Sequence, residues 1–149
     1  MRTYSAGFTL IELLVGVTII GMIVAFAVRG FQEYARYQQY DQMVGSVLGT
    51  LNDARVQGRA AESGVAHGVK LQTSSIIAFN GTTYSAGAST NRTYTFQNVR
   101  ITPALTGGAT QIVFDALTGR PSATGTITIV GTAHVATTTV TISGTGVIQ

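Results

Sequence analysis

One carboxylate stands inside a long apolar run near the start of the chain. Residues 7–15 read GFTLIELLV, and residues 8–28, FTLIELLVGVTIIGMIVAFAV, hold no charge other than Glu12. A carboxylate costs on the order of 2.5–3.5 kcal/mol at the centre of a membrane helix, so it normally has a partner. No Lys, Arg or His lies three or four residues from Glu12. The partner is then a proton, interfacial water reached by snorkelling, or a cation from outside the segment. One such cation would be a new α-amine on Phe8, exposed by cutting after Gly7 and presented by a second copy staggered along a helix bundle. The interfacial and the intermolecular readings both stand on these residues alone.

The rest of the chain offers little else for chemistry. Its acids are Glu12, Glu33, Asp41, Asp53, Glu62 and Asp115, its histidines are His67 and His134, and it has no cysteine. No two of these have a metal-ligand or catalytic spacing, and no Asp-rich loop suits calcium. Neither an enzyme nor a cofactor or metal site is expected. Charged residues are only 10% of the 149 and the net charge is +3, without a basic block. Beyond residue 71 the charges are Arg92, Arg100, Arg120 and Asp115. That weak positive bias makes these arginines the only candidate nucleic-acid contacts. Tyr34, Tyr37 and Tyr40 recur every three residues, with Phe31 close by, and are expected to pack on neighbouring subunits. Base stacking would need more flanking charge than Arg29 and Arg36 supply. Asn80-Gly81-Thr82 and Asn91-Arg92-Thr93 match the glycosylation tripeptide, as short matches do by chance in a Thr-rich chain.

Three kinds of element must position these residues. Residues 8–28 make 21 positions, roughly 31 Å of helix at ~1.5 Å per residue, about the thickness of a bilayer core. Small residues, Ser5, Ala6 and Gly7, precede the apolar run instead of following it, the reverse of an ordinary secretory signal. Cutting after Gly7 would therefore leave the anchor on the product. Arg2 and the amino terminus favour the cytoplasmic side, only slightly, because Arg29 flanks the other end. Past Arg29 the helix turns amphipathic: Tyr40, Val44, Val47, Leu51, Ala54, Gly58 and Ala61 share one face. Gln42, Ser46, Asp53 and Gln57 fall largely on the other, and the small residues would let this part approach a sheet closely. Gly64 is the expected stop after Ser63. A helix over the 56 residues 8–63 would be roughly 84 Å long, too long for a compact monomer. Gly16, Gly21, Gly30, Gly45 and Gly49 weaken it, either for close packing between neighbours or for local melting. Strands are expected at 65–71, 75–79, 92–96, 111–114, 126–130 and 138–142, with a last hairpin through Ser143-Gly144-Thr145-Gly146 into Val147-Ile148. The fold class is α+β.

The stretch from Gly7 to Val15 resembles the class III signal of type IV pilins and type II secretion pseudopilins. The resemblance implies a type IV pilin-like fold, the long helix packing its second half on an antiparallel β-sheet head. It also implies that a prepilin peptidase cuts after Gly7, that Phe8 becomes the N-methylated terminus, and that Glu12 aligns incoming subunits. Residues 1–7 would then be the leader, 8–28 the transmembrane and assembly helix, 29–63 its amphipathic continuation, and 64–149 the β-rich head. The stretches DARVQGRAAESGVAHGVKL, IVFDALTGRPSATGTITI and VTISGTGVI resemble, more loosely, the heads of GspH/FimT-type pseudopilins and minor pilins. Two departures matter. Many pilins carry a proline near the end of the apolar half, and here none precedes Pro103. Many relatives place an arginine after the final glycine, where this chain has Val147 after Gly146.

The expected function is that of a minor pilin or pseudopilin in a type IV pilus or a type II secretion pseudopilus. Its partners would be prepilin peptidase, other subunits, the inner-membrane assembly platform and, before assembly, the lipid bilayer. It would sit as a single-pass protein in the bacterial inner membrane with its head outside the cytoplasm. The alternatives are a competence minor pilin that binds DNA through the head, or a major pilin.

Overall fold

The structure, a computed structural model, describes residues 7–60, 64–133 and 136–149. Its elements are α1 (Leu10–Arg59), β1 (His67–Leu71), β2 (Ser75–Asn80), β3 (Arg92–Thr95), β4 (Val99–Leu105), β5 (Gln111–Phe114), β6 (Gly125–Gly131) and β7 (Thr137–Ile142). The α+β class expected from the sequence is the one observed, a long N-terminal apolar helix with antiparallel sheets in a pilin-like head. The chain divides into two compact units, one reaching to Tyr37 and one running from Gln38 to Gln149.

In the first unit no described side chain is buried; Leu10 is 82% and Phe26 77% exposed. A helix that is apolar all round has no polar face to give to water, so its surface must be covered by lipid or by other protein. Thr18 fits this rule, because its hydroxyl donates to the Leu14 carbonyl at 2.8 Å and so needs no water. The glycines of α1 are helical here. A Cβ added at Gly16, Gly21, Gly30, Gly45 or Gly49 would meet nothing within 4 Å, so no contact inside this chain asks for glycine there.

In the second unit α1 buries Tyr40, Val47, Thr50, Leu51, Ala54 and Gly58, the expected face with Thr50 added and Val44 only half-buried. Thr50 tolerates burial because its hydroxyl donates to the Ser46 carbonyl at 2.8 Å. Tyr40 departs from the intersubunit role expected of the three tyrosines. It is 4% exposed, and its hydroxyl donates to the Ile129 carbonyl and bonds Thr138 Oγ1, both at 2.9 Å. Its own head therefore holds it, whereas Tyr34 and Tyr37 stay on the surface. The helix ends at Arg59; residues 61–63, where its end was expected, and Ala61 of the predicted face lie outside the described residues. Gly64 has the left-handed φ of 67° that suits a stop.

The strands form two antiparallel sheets, β3-β2-β1-β5 and β4-β6-β7. The main core joins Val47 and Leu51 of the helix to Val69, Ile76, Ile112 and Phe114 of the first sheet and to Ile101, Ile127, Ile129, Val140 and Ile142 of the second, and a smaller cluster holds Ala66, Phe79 and Val113. The second sheet alternates strictly. Opposite its buried residues it turns outward a face in which Thr102 pairs with Thr128 and Thr128 with Thr139, with Arg100, opposite Val130, as its one charge. Such cross-strand threonines present a polar surface without charge. The last hairpin is present: Ile142 bridges Ile148, and Gly146 takes a φ of 79° in the turn.

β4 was not expected, because Pro103 interrupts its pattern. Proline is tolerated where its missing N–H would face away from the ladder of an edge strand. β4 is such an edge. Ile101, two residues before Pro103, points its N–H away from β6 to the Thr73 carbonyl at 2.8 Å. Pro103 has the same parity and costs the sheet no hydrogen bond.

At Gly58 the helix comes close to the sheet. An added Cβ would lie 3.0 Å from the Phe114 carbonyl oxygen and 3.3 Å from that of Asp115. Alanine normally stabilises a helix by ~1 kcal/mol over glycine, whereas overpacking against backbone costs ~1–3 kcal/mol. Gly45→Ala, in open space, should therefore raise the thermal unfolding temperature of the detergent-solubilised chain. Gly58→Ala should lower it, and Gly58→Val should lower it further. Equal effects at positions 45 and 58 would show that the close approach is absent.

Candidate processing and assembly site

The chain enters α1 through Gly7, Phe8 and Thr9, which adopt no regular structure. Phe8 is 81% exposed, and the Gly7–Phe8 peptide bond lies before the first helical residue. A peptidase needs such an accessible segment outside the helical hydrogen-bond ladder. The remainder of the predicted leader, residues 1–6, lies outside the described residues.

Thr9 is the residue sequence reasoning passed over. Its side-chain oxygen accepts the Glu12 backbone N–H at 3.3 Å, and its carbonyl accepts the Leu13 N–H at 3.2 Å. Thr9 is thus the N-cap of α1, satisfying a donor that the first turn would otherwise leave open. The signal was present: Thr9-Leu10-Ile11-Glu12 has the T-x-x-E spacing of a capping box. Glu12 is the acidic residue of the first turn, where the helix dipole favours negative charge.

What Glu12 lacks is a partner for the carboxylate itself. Among the described residues no ion pair or hydrogen-bond donor serves it, and the ion pair nearest along α1, Arg36 with Glu33 at 3.0 Å, lies beyond the apolar run. The carboxylate is held at the start of the exposed apolar half of α1 and remains available to a cation from elsewhere. α1 is long and apolar enough to cross a membrane, and none of its most apolar window is buried by the chain.

The head arginines do not converge. Arg92 opens β3 and Arg120 follows β5, the two opposite edges of the first sheet, while Arg100 lies on β4 of the second. All three are exposed. His67 is buried, 4% exposed, at the start of β1, and His134 lies outside the described residues. Among the described residues no three His, Asp or Glu side chains form a metal-binding group.

A family model described as the prokaryotic N-terminal methylation motif matches residues 2–28. The match contains Gly7, Phe8, Thr9 and Glu12, and it supports a type IV pilin-like prepilin signal over that stretch. Such a signal implies processing by prepilin peptidase, membrane anchoring and assembly with other pilins. No curated protein and no solved structure matches the chain.

Proposed function

We propose that the protein is a minor pilin or pseudopilin, a structural subunit of a type IV pilus or a type II secretion pseudopilus. One observation carries the reading: the methylation motif begins a helix whose most apolar window is unburied among the described residues. In this reading prepilin peptidase cuts after Gly7, Phe8 is N-methylated, and the subunit waits in the inner membrane with its head outside the cytoplasm. It then exchanges lipid for neighbouring helices on the assembly platform, and Glu12 sets the register against a neighbour's amine. Glycines without contacts in their own chain suit close packing by other copies. The absence of a proline before Pro103 supports a minor subunit or pseudopilin over a major pilin.

Co-expression of the full chain with a prepilin peptidase tests this reading by intact mass. The expected product lacks residues 1–7 and carries one added methyl group on Phe8. An uncut chain, or a cut at another bond, would overturn it.

A further inference from the structure

On its helix-facing side the first sheet changes character from one edge toward the other. The register places Val69 opposite Ala78 and Ala78 opposite Arg92; one row on, Leu71 faces Ile76 and Ile76 faces Tyr94. Both rows thus start apolar on β1 and end polar on β3. All four residues of β3, an edge strand of this sheet, are exposed. The flank of α1 above that edge is polar in turn: Thr50, Asp53 and Gln57 stand one turn apart along it.

Between these two polar surfaces lies a cleft of about 270 Å³. Thr50, Asp53 and Gln57 form one wall, and Asn80, Arg92 and Tyr94 form the other. The small side chain of Ala78 leaves its floor open. Ser89 and Thr90 close one end, on a loop that is folded in advance. Within this loop the Asn91 side-chain amide donates to the Ser85 carbonyl at 2.7 Å, and the Asn91 N–H donates to the Ala88 carbonyl at 3.2 Å. At the loop's base, Tyr84 packs edge-on against Phe79, with ring centroids 5.7 Å apart.

The chemistry of the lining narrows the occupant. Asp53 and Arg92 bring opposite charges to one cleft, yet among the described residues they form no ion pair with each other. Their sum is zero, so the site favours neither an anion nor a cation. Gln57, Asn80, Asp53 and Arg92 are planar groups with paired donors or acceptors, the geometry that holds two adjacent hydroxyls at once. Tyr94, 41% exposed, adds an aromatic face for an apolar patch of C–H groups. Ala54, Ala78, Phe79 and the buried His67 also line the cleft, but a lipid or flat aromatic ligand would leave Asp53 and Arg92 desolvated without a partner. Its volume is near the lower end of small-molecule sites, which span roughly 300–1,000 Å³. We propose that this cleft binds a single neutral sugar ring, its hydroxyls held by Asp53, Asn80 and Arg92 and one face laid on Tyr94.

Nothing in this proposal rests on the filament reading. Saturation-transfer NMR on the full chain, held in a detergent without a sugar headgroup, tests it with glucose, galactose, mannose and N-acetylglucosamine. Alanine and glutamine serve as zwitterionic comparators. Transfer to at least one sugar is expected, with a dissociation constant of about 1 mM, the scale of ~4 kcal/mol of binding. Tyr94→Ala and Arg92→Ala, both at exposed positions, should each weaken it by roughly tenfold. Arg120→Ala, on the opposite edge of the sheet, should leave it unchanged. Absence of transfer to every sugar would overturn the proposal, as would transfer that survives in both cleft variants. Transfer to the amino acids alone would overturn it too, and would give the Asp53 and Arg92 charges to a zwitterion instead.

Discussion

Glu12→Ala should leave membrane insertion and cleavage intact and reduce incorporation into filaments at least tenfold. The variant removes a charge from an apolar helix, so insertion becomes easier. It keeps the start of α1, because the bond that Thr9 accepts comes from the backbone N–H of residue 12. The loss at the helix dipole is only ~0.3–1 kcal/mol. In the proposed reading, what changes is the pair between Glu12 and a neighbour's amine. Removing one partner of a buried ion pair typically costs ~3–5 kcal/mol, since the other charge stays desolvated and alone. At ~1.4 kcal/mol per factor of ten, that is more than enough to suppress a subunit contact. Glu12→Gln separates charge from hydrogen bonding: it matches the carboxylate in size and accepts a hydrogen bond, yet it should fail nearly as badly. Filament yield is measured by shearing and quantifying the subunit, alongside intact mass to show that processing occurred. A normal yield from Glu12→Ala would assign the carboxylate to the membrane interface, the other reading its position allows.

The parts of the molecule that were legible in the sequence are those set by local periodicity. The buried face of α1 followed from the spacing of Tyr40, Val47, Leu51, Ala54 and Gly58, and the alternating strands followed from their β-branched runs. β4 was missed because Pro103 is a breaker in any local reading; only the pairing shows that its nitrogen faces away from β6. The second role expected of Tyr40, packing on neighbours beside Tyr34 and Tyr37, failed for a related reason. A tyrosine at helical spacing does not reveal that Ile129 and Thr138, far along the chain, will meet its hydroxyl. The polar cleft is illegible in the same way. Asp53 and Arg92 share it only because of the β2–β3 register and the packing of α1, and neither is encoded near either residue. At the candidate processing site, by contrast, the residues proposed to act lie within six positions, from Gly7 to Glu12. Thr9 was overlooked although its spacing to Glu12 was in plain view.

Gly7→Leu should leave the leader in place, and the cause can be located before the experiment is done. Glycine is required in a chain for its backbone freedom or for a close contact. Gly7 shows neither: it is exposed, and an added Cβ would meet nothing within 4 Å. Any failure of the leucine variant must therefore arise against the peptidase, which would have to take a residue without a side chain beside the cut bond. Unfolding temperature and membrane insertion should match the parent chain, while intact mass retains residues 1–7 and lacks the methyl group, since no Phe8 amine is released. Without that amine a neighbour's Glu12 has no cation to meet, so Gly7→Leu should lose filaments as fully as Glu12→Ala does. The two substitutions then remove the two halves of one pair, and combining them should cost no more than either alone, the non-additivity expected of interacting groups. An additive loss in the double variant would show that cleavage and the carboxylate serve assembly by separate routes, and the pairing of Phe8 with Glu12 would have to be abandoned.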